Sequence, residues 1–234
     1  MEVNFTPFFE KYEALVEKVE RVFEQMKNKF PAEVQCKPGC SDCCNALFDL
    51  TLIESLYINF HFNQQFKKGS QRDLLIEKAN RADRQTYKIK RAAYKLTQED
   101  SDDERAIKEV SLKRIRCPLL NDQDLCNLYD FRPIACRIYG IPQAIGGKGH
   151  VCGFSGFKPG ESYPTFNHDI VHDQLMAISG EFVQAIGAKN FKIAGMLIPV
   201  SMALITDFNE EYLGIASDSE SADEENKLNG KKND

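Results

Sequence analysis

The sequence predicts a mostly α protein, a helical single domain packed around an irregular, cysteine-rich segment with few short strands. Three observations predict it. Apolar residues recur at spacings of three and four over long stretches, the period of a helix with one buried face. Ser/Thr-x-x-Glu boxes, which satisfy the free N–H groups of a helix start, stand at the heads of two such stretches. The helical pattern breaks at 36–44 and again over 115–165, where cysteine, proline, glycine, asparagine and aspartate concentrate.

Phe5, Phe8, Tyr12, Leu15, Val19, Val22, Met26 and Phe30 mark a first helix over residues 3–30, with Thr6 as its expected N-cap, Pro7 at the first helical position and Pro31 ending it. "TLIE" at 51–54 opens a second helix to about Phe66. After a break at 67–70, a long helix is expected over 71–97. Its stripe of Leu75, Ala79, Ala82, Thr86, Ile89, Ala93 and Leu96 is small enough for close packing on a neighbour. "SDDE" at 101–104 is a further capping box, for a helix to about Lys113. Over 115–165 loops, short strands and one helical turn after Pro133 are expected. A helix then runs from near His168 to Gly187, and an apolar segment reaches about Leu213. Domain organisation follows: 1–215 as one helical cysteine-cluster domain, with the cysteine motifs at 36–152, and 216–234 as a disordered polar tail with almost nothing to bury.

A chain of 234 residues buries roughly 70% of its unfolded surface and needs no disulfide staples. Its formal net charge of −5 provides no global field to draw it onto nucleic acid or anionic lipid. The longest apolar run, "IAGMLIPVSMALI" at 193–205, is too short to span a bilayer and contains Pro199, so no membrane is expected. The opening "MEVNFTPFFEKYE" lacks the basic and apolar regions of a secretory leader, so a cytoplasmic location with reduced thiols is expected.

The eight cysteines carry the chemistry. "CKPGCSDCC" places Cys36, Cys40, Cys43 and Cys44 within nine residues, and Cys117, Cys126, Cys136 and Cys152 follow far downstream. Disulfides fit poorly, because a bridge between the neighbours Cys43 and Cys44 is strained and the expected compartment is reducing. Inert packing fits poorly with such clustering. A metal site fits. The C-x2-C pair at Cys40 and Cys43 lets two thiolates reach one ion from a tight turn, Pro38 and Gly39 supply that turn, and Cys36 can add a ligand. Adjacent Cys43 and Cys44 point apart in regular backbone, which suits two ions or a polynuclear cluster. The downstream four must be gathered by the fold, making the metal a clamp between distant segments. Arg116, Arg132 and Arg137 stand beside or near cysteines, where guanidinium groups could hydrogen-bond ligand sulfurs and offset their charge as cofactor-binding residues.

"CKPGCSDCC", "CPLLNDQDLC" and "RPIACR" together resemble the YkgJ-type cysteine-cluster family, a zinc- or iron-chelating domain of bacteria and archaea. The resemblance covers 36 to about 152 and implies all eight cysteines as candidate ligands. It implies no reaction, and nothing carries over to the helical insertion or to either end. Iron–sulfur is favoured slightly over zinc, on the adjacent cysteine pair and the flanking arginines.

Weaker signals remain. Cys36, Cys40 and Cys43 also have the spacing of radical S-adenosylmethionine enzymes, but Asp42 stands where an aromatic residue is usual and the strand–helix barrel pattern is missing. His168 and His172 share a helix face in "HDIVH", a pattern commoner on plain surface helices than in zinc sites. His150, close to Cys152, is the better spare ligand. Arg81, Arg84, Lys88, Arg91 and Lys95 form a basic stripe on the long helix, which reads as a solvated face or as a dock for an acidic protein or nucleic acid. The leading expectation is therefore a metal-binding protein whose role is structural, electron-transfer or metal-handling. A metal-dependent enzyme of redox or protein-modification type, with flagellin lysine methylases as an analogy, and a docking module with a structural metal are the alternatives.

Overall fold

The computed structural model describes residues 3–100 and 109–215, the side chains of 99 and 100 excepted. Helix α1 (Thr6–Lys29) carries the predicted stripe inward, with Phe9, Tyr12, Leu15, Val16, Val19 and Met26 buried. Its start differs from expectation. Thr6 lies inside the helix, and the side-chain oxygen of Asn4 accepts the Thr6 N–H at 3.1 Å. The N-cap residue is Phe5, which supplies no side-chain hydrogen bond, so Asn4 meets the free Thr6 N–H from one residue outside the cap.

Helix α2 (Leu52–Gln65) starts on the predicted Thr51/Glu54 capping box and is buried along most of its first two turns. Helix α3 (Ser70–Asp100) buries Leu75, Ala79, Ala82 and Thr86. The irregular stretch then supplies the predicted helical turn after Pro133, α4 (Ile134–Ile138), and the short strands β2 (Gln143–Ile145) and β3 (Lys148–His150). Strand β4 (Phe166–Asn167) runs parallel to β2 and leads into α5 (His168–Ala185), capped by Asn167. The apolar run resolves into a 3-10 turn (Phe191–Gly195), strand β5 (Ile198–Pro199) and α6 (Val200–Ile205). Helix α7 (Glu210–Leu213) closes on Gly214 in the left-handed conformation.

One apolar cluster runs from Phe9 to Leu213, centred on α2, with α1, α5 and α6 against it. Fully buried Phe62 and Phe182 illustrate its strength, since each such side chain contributes about 2 kcal/mol. Strand β1 (Asp49–Leu50) pairs antiparallel with β5, which ties the end of the first cysteine stretch to α6. The SDDE box and the polar tail lie outside the described residues. No helix among the described residues is long and apolar enough to cross a membrane.

Candidate metal centre

The first cysteine stretch is a succession of tight turns. Lys37 O accepts the Cys40 N–H at 2.9 Å across Pro38 and Gly39, and Gly39 sits at φ +85°. This is the backbone a type II turn demands of its third residue, and it explains the Pro-Gly pair. A 3-10 turn over Cys43–Asn45 follows, with Asn45 Nδ2 donating to Ser41 O at 2.9 Å.

Backbone pairing then brings in the second motif. Cys117 N donates to Cys44 O at 2.7 Å and Ile115 N to Asn45 O at 3.0 Å. Cys117 and Cys126 stand at the two ends of a small hairpin, closed by Asn127 N to Leu119 O at 2.8 Å and Asn121 N to Leu125 O at 2.9 Å. The Asn121 side chain shapes its tip by accepting from the N–H groups of Gln123 and Leu125, both at 2.9 Å. Helix α4 delivers Cys136, and its Ile134 N–H donates to Glu54 Oε1 at 3.1 Å. Glu54 therefore serves two helix starts at once, its own and that of the cysteine-bearing turn. Desolvation raises its pKa against the pull of these hydrogen bonds.

Cys43, Cys44, Cys117, Cys126 and Cys136 consequently line one pocket of about 50 Å³, together with Arg116 and Arg132. Its other wall is apolar, from Phe48, Ile58, Ala82 and Val200. Hydrogen bonds from the Cys136 and Cys44 thiols pull the Cys43 pKa well below the ordinary thiol range. The same bonds, with desolvation, push Cys44 and Cys136 up. Desolvation raises Cys117 to about 12 and lifts Cys126.

The remaining three cysteines form a second, outer group. Cys36 and Cys40 are exposed, whereas Cys152 is buried. Partial desolvation and the charges of Cys40, Cys152 and Cys43 raise Cys36 to about 11. Cys36 is seated against Gly140, where an added Cβ would stand 2.1 Å from its Sγ. Cys152 Sγ lies 3.5 Å from Asp42 Oδ2 and accepts the Phe154 N–H at 3.4 Å. The loop beyond it is pinned by Gly156 N donating to Glu33 O at 2.7 Å. Arg114 fixes Asp42 in turn, donating to its carbonyl at 2.9 Å and pairing with its carboxylate.

All eight thiols are free, a soft donor set suited to zinc and to iron–sulfur clusters. No three His, Cys, Asp or Glu side chains among the described residues lie close enough to hold an ion as they stand. Residues 35–153 match the sequence profile of the CxxCxxCC family, described as "Putative zinc- or iron-chelating domain". The chain belongs to the CxxCxxCC family. Metal binding of the zinc- or iron-chelating kind is the family's character. No curated protein and no solved structure matches the chain.

The arginines of this CxxCxxCC protein differ in use. Arg132 lies 3.8 Å over the Tyr129 ring, lines the pocket, and its charge favours the thiolate at Cys43 and at Cys36. Arg116 also lines the pocket while gripping the hairpin through Asn121 O at 2.7 Å. The structure gives Arg137 a different task from the one expected beside the sulfurs. Its side chain is 5% exposed, donates to Arg132 O at 2.8 Å and Asp130 O at 2.6 Å, and pairs with Glu20 of α1. Through these bonds Arg137 braces the Cys136 turn. His150 is exposed on β3, paired with Gln143 in register. In "HDIVH", Asp169 accepts the Gly146 N–H at 2.9 Å and so anchors the β2–β3 turn.

Asp42, Arg114, Glu54 and Gly140 are site residues that pattern reading passed over. In the sequence Asp42 registers only as a departure from another motif, not as a partner of Cys152 and Arg114. Glu54 could be read only as a cap, and Gly140 and Arg114 act across long sequence separations that no local pattern records.

Proposed function

We propose that the eight cysteines form two neighbouring four-thiolate centres, one from Cys44, Cys117, Cys126 and Cys136 and one from Cys36, Cys40, Cys43 and Cys152. The observation that supports this reading is the convergence of Cys43, Cys44, Cys117, Cys126 and Cys136 on one pocket from three separate segments. Cys43 adjoins both sets, through its hydrogen bonds to Cys44 and Cys136 and its charge on Cys36. Metal sites are rarely preformed, and ligation draws the thiolates together as it stabilises the fold. The inner centre is structural. The outer one, with exposed Cys36 and Cys40, is where an electron or a metal ion is exchanged. Arg132 and Arg116 offset the thiolate charge.

An iron–sulfur cluster is the leading occupant, because each cluster takes four thiolates, tolerates ligands gathered from distant segments, and here stands beside arginines that offset thiolate charge. Zinc is the second reading, favoured by the division of eight thiols into two closed sets of four. Oxygen-free purification with metal analysis and a visible spectrum tests both. Iron with matching sulfide and a charge-transfer band supports the cluster, and two colourless zinc ions per chain support zinc. A folded, metal-free protein overturns both.

A further inference from the structure

Helix α3 separates two chemistries. Ala82 and Thr86 on its buried edge wall the thiol pocket. On the opposite edge Arg84, Lys88, Arg91 and Lys95 recur at spacings of four, three and four, one above another on the helix. Arg81, at the head of the stripe, is engaged by Glu77 at 2.7 Å, but none of the other four forms an ion pair with a described residue. Tyr87 and Tyr94, seven residues apart, flank the stripe and are 61% and 65% exposed. Arg84, Tyr87, Lys88, Arg91 and Lys95 bound a shallow open trough with Ala92, and Asp83 at its edge accepts from Ser201 Oγ at 3.5 Å.

We propose that this face of α3 binds single-stranded nucleic acid, with phosphates on Arg84, Lys88, Arg91 and Lys95 and bases stacked on Tyr87 and Tyr94. The four cations span about 16 Å of helix at 1.5 Å per residue, a row long enough to track a stretch of backbone. Cations without an ion-pair partner among the described residues, beside exposed aromatic rings, are the two components of a sequence-tolerant strand-binding surface. A carboxylate-bearing protein would complement the cations but leave both tyrosines without a task. The net charge of −5 does not oppose this, because charge is segregated: residues 67–95 hold ten Lys/Arg against three Asp/Glu.

The test is anisotropy of a labelled 20-nucleotide RNA or single-stranded DNA titrated with the full chain between 50 and 200 mM KCl. Four phosphate contacts predict a slope of log K against log salt near about −3. Arg84→Glu/Arg91→Glu is expected to lower affinity by more than about thirtyfold and to halve the slope roughly. Tyr87→Ala is expected to lower affinity about tenfold while leaving the slope unchanged. Circular dichroism and metal content, both expected to be unaltered, verify the fold of each variant. Absence of binding at 50 mM salt overturns the proposal, as does binding indifferent to the double charge reversal. So does equal affinity for poly-glutamate, or carbodiimide cross-linking of Lys88 or Lys95 to the chain's own acidic stretch at 218–225, which would identify an acidic occupant instead.

Discussion

The inner and outer thiol groups are held by different means. The inner group rests on backbone hydrogen bonds between motifs, on a hairpin, and on a helical turn fastened by Glu54 and Arg137. The outer group rests on side chains and close approach: a Pro-Gly turn, the seat of Cys36 on Gly140, and the Cys152–Asp42–Arg114 chain. Backbone pairing brings the inner segments near one another before any ion is bound, whereas the outer thiols depend more on side-chain contacts. The inner group should therefore be coupled to global stability and the outer group to exchange.

The largest expected effect breaks or confirms this contrast directly. Cys117→Ser should remove the inner metal and cost about 4 kcal/mol of stability. Cys40→Ser should remove only outer metal and cost less than about 1 kcal/mol. Elemental analysis paired with urea unfolding reads both, and equal destabilisation by the two variants would erase the distinction. Next is Arg137→Ala, which strips buried partners from Asp130 O and Arg132 O and frees Glu20. A loss of about 3 kcal/mol is expected, accompanied by weaker inner-metal retention against a chelator. Gly140→Ala should push the exposed Cys36 side chain from its seat at a cost below about 1 kcal/mol. Its outer metal should be lost while the inner metal stays, visible as a halved metal content.

The smallest effect sharpens the inner half of the contrast through pH. Desolvation raises the pKa of Glu54 in the folded protein, so between the ordinary carboxylate range and that raised value the folded state holds a proton the unfolded chain has released. Stability from this group is therefore greatest at low pH and falls as pH climbs through the window. Glu54→Gln should flatten that decline while costing about 1 kcal/mol at the acid end. Unfolding curves collected across pH for both proteins measure it.

Much of this was legible in the sequence where the signal was local. The α2 capping box, the small-residue stripe of α3, the helical turn after Pro133 and the left-handed Gly187 follow from neighbouring residues and hold in the structure. The family assignment rested on three motifs and likewise holds. The start of α1 lies one residue before the expected one, with Phe5 at the N-cap, and Phe5 carries no side-chain acceptor by which a capping pattern could have marked it. Adjacency to Cys136 says nothing of where a helical side chain points, and the partner Arg137 finds in Glu20 is 117 residues away. The partition of the thiols into inner and outer groups depends on the pairing of 44–45 with 115–117, which no spacing encodes.

The outer group joins the first cysteine of the chain to the last, and this has a consequence for biosynthesis. Cys152 leaves the ribosome 116 residues after Cys36 (152 − 36). At about 5–20 residues per second, the nascent Cys36 and Cys40 stand unligated for roughly 6 to 23 seconds. Throughout that interval they are open to oxidants and to adventitious cations, so loading of the proposed outer centre would be a late event, completed only once translation has passed the final thiol.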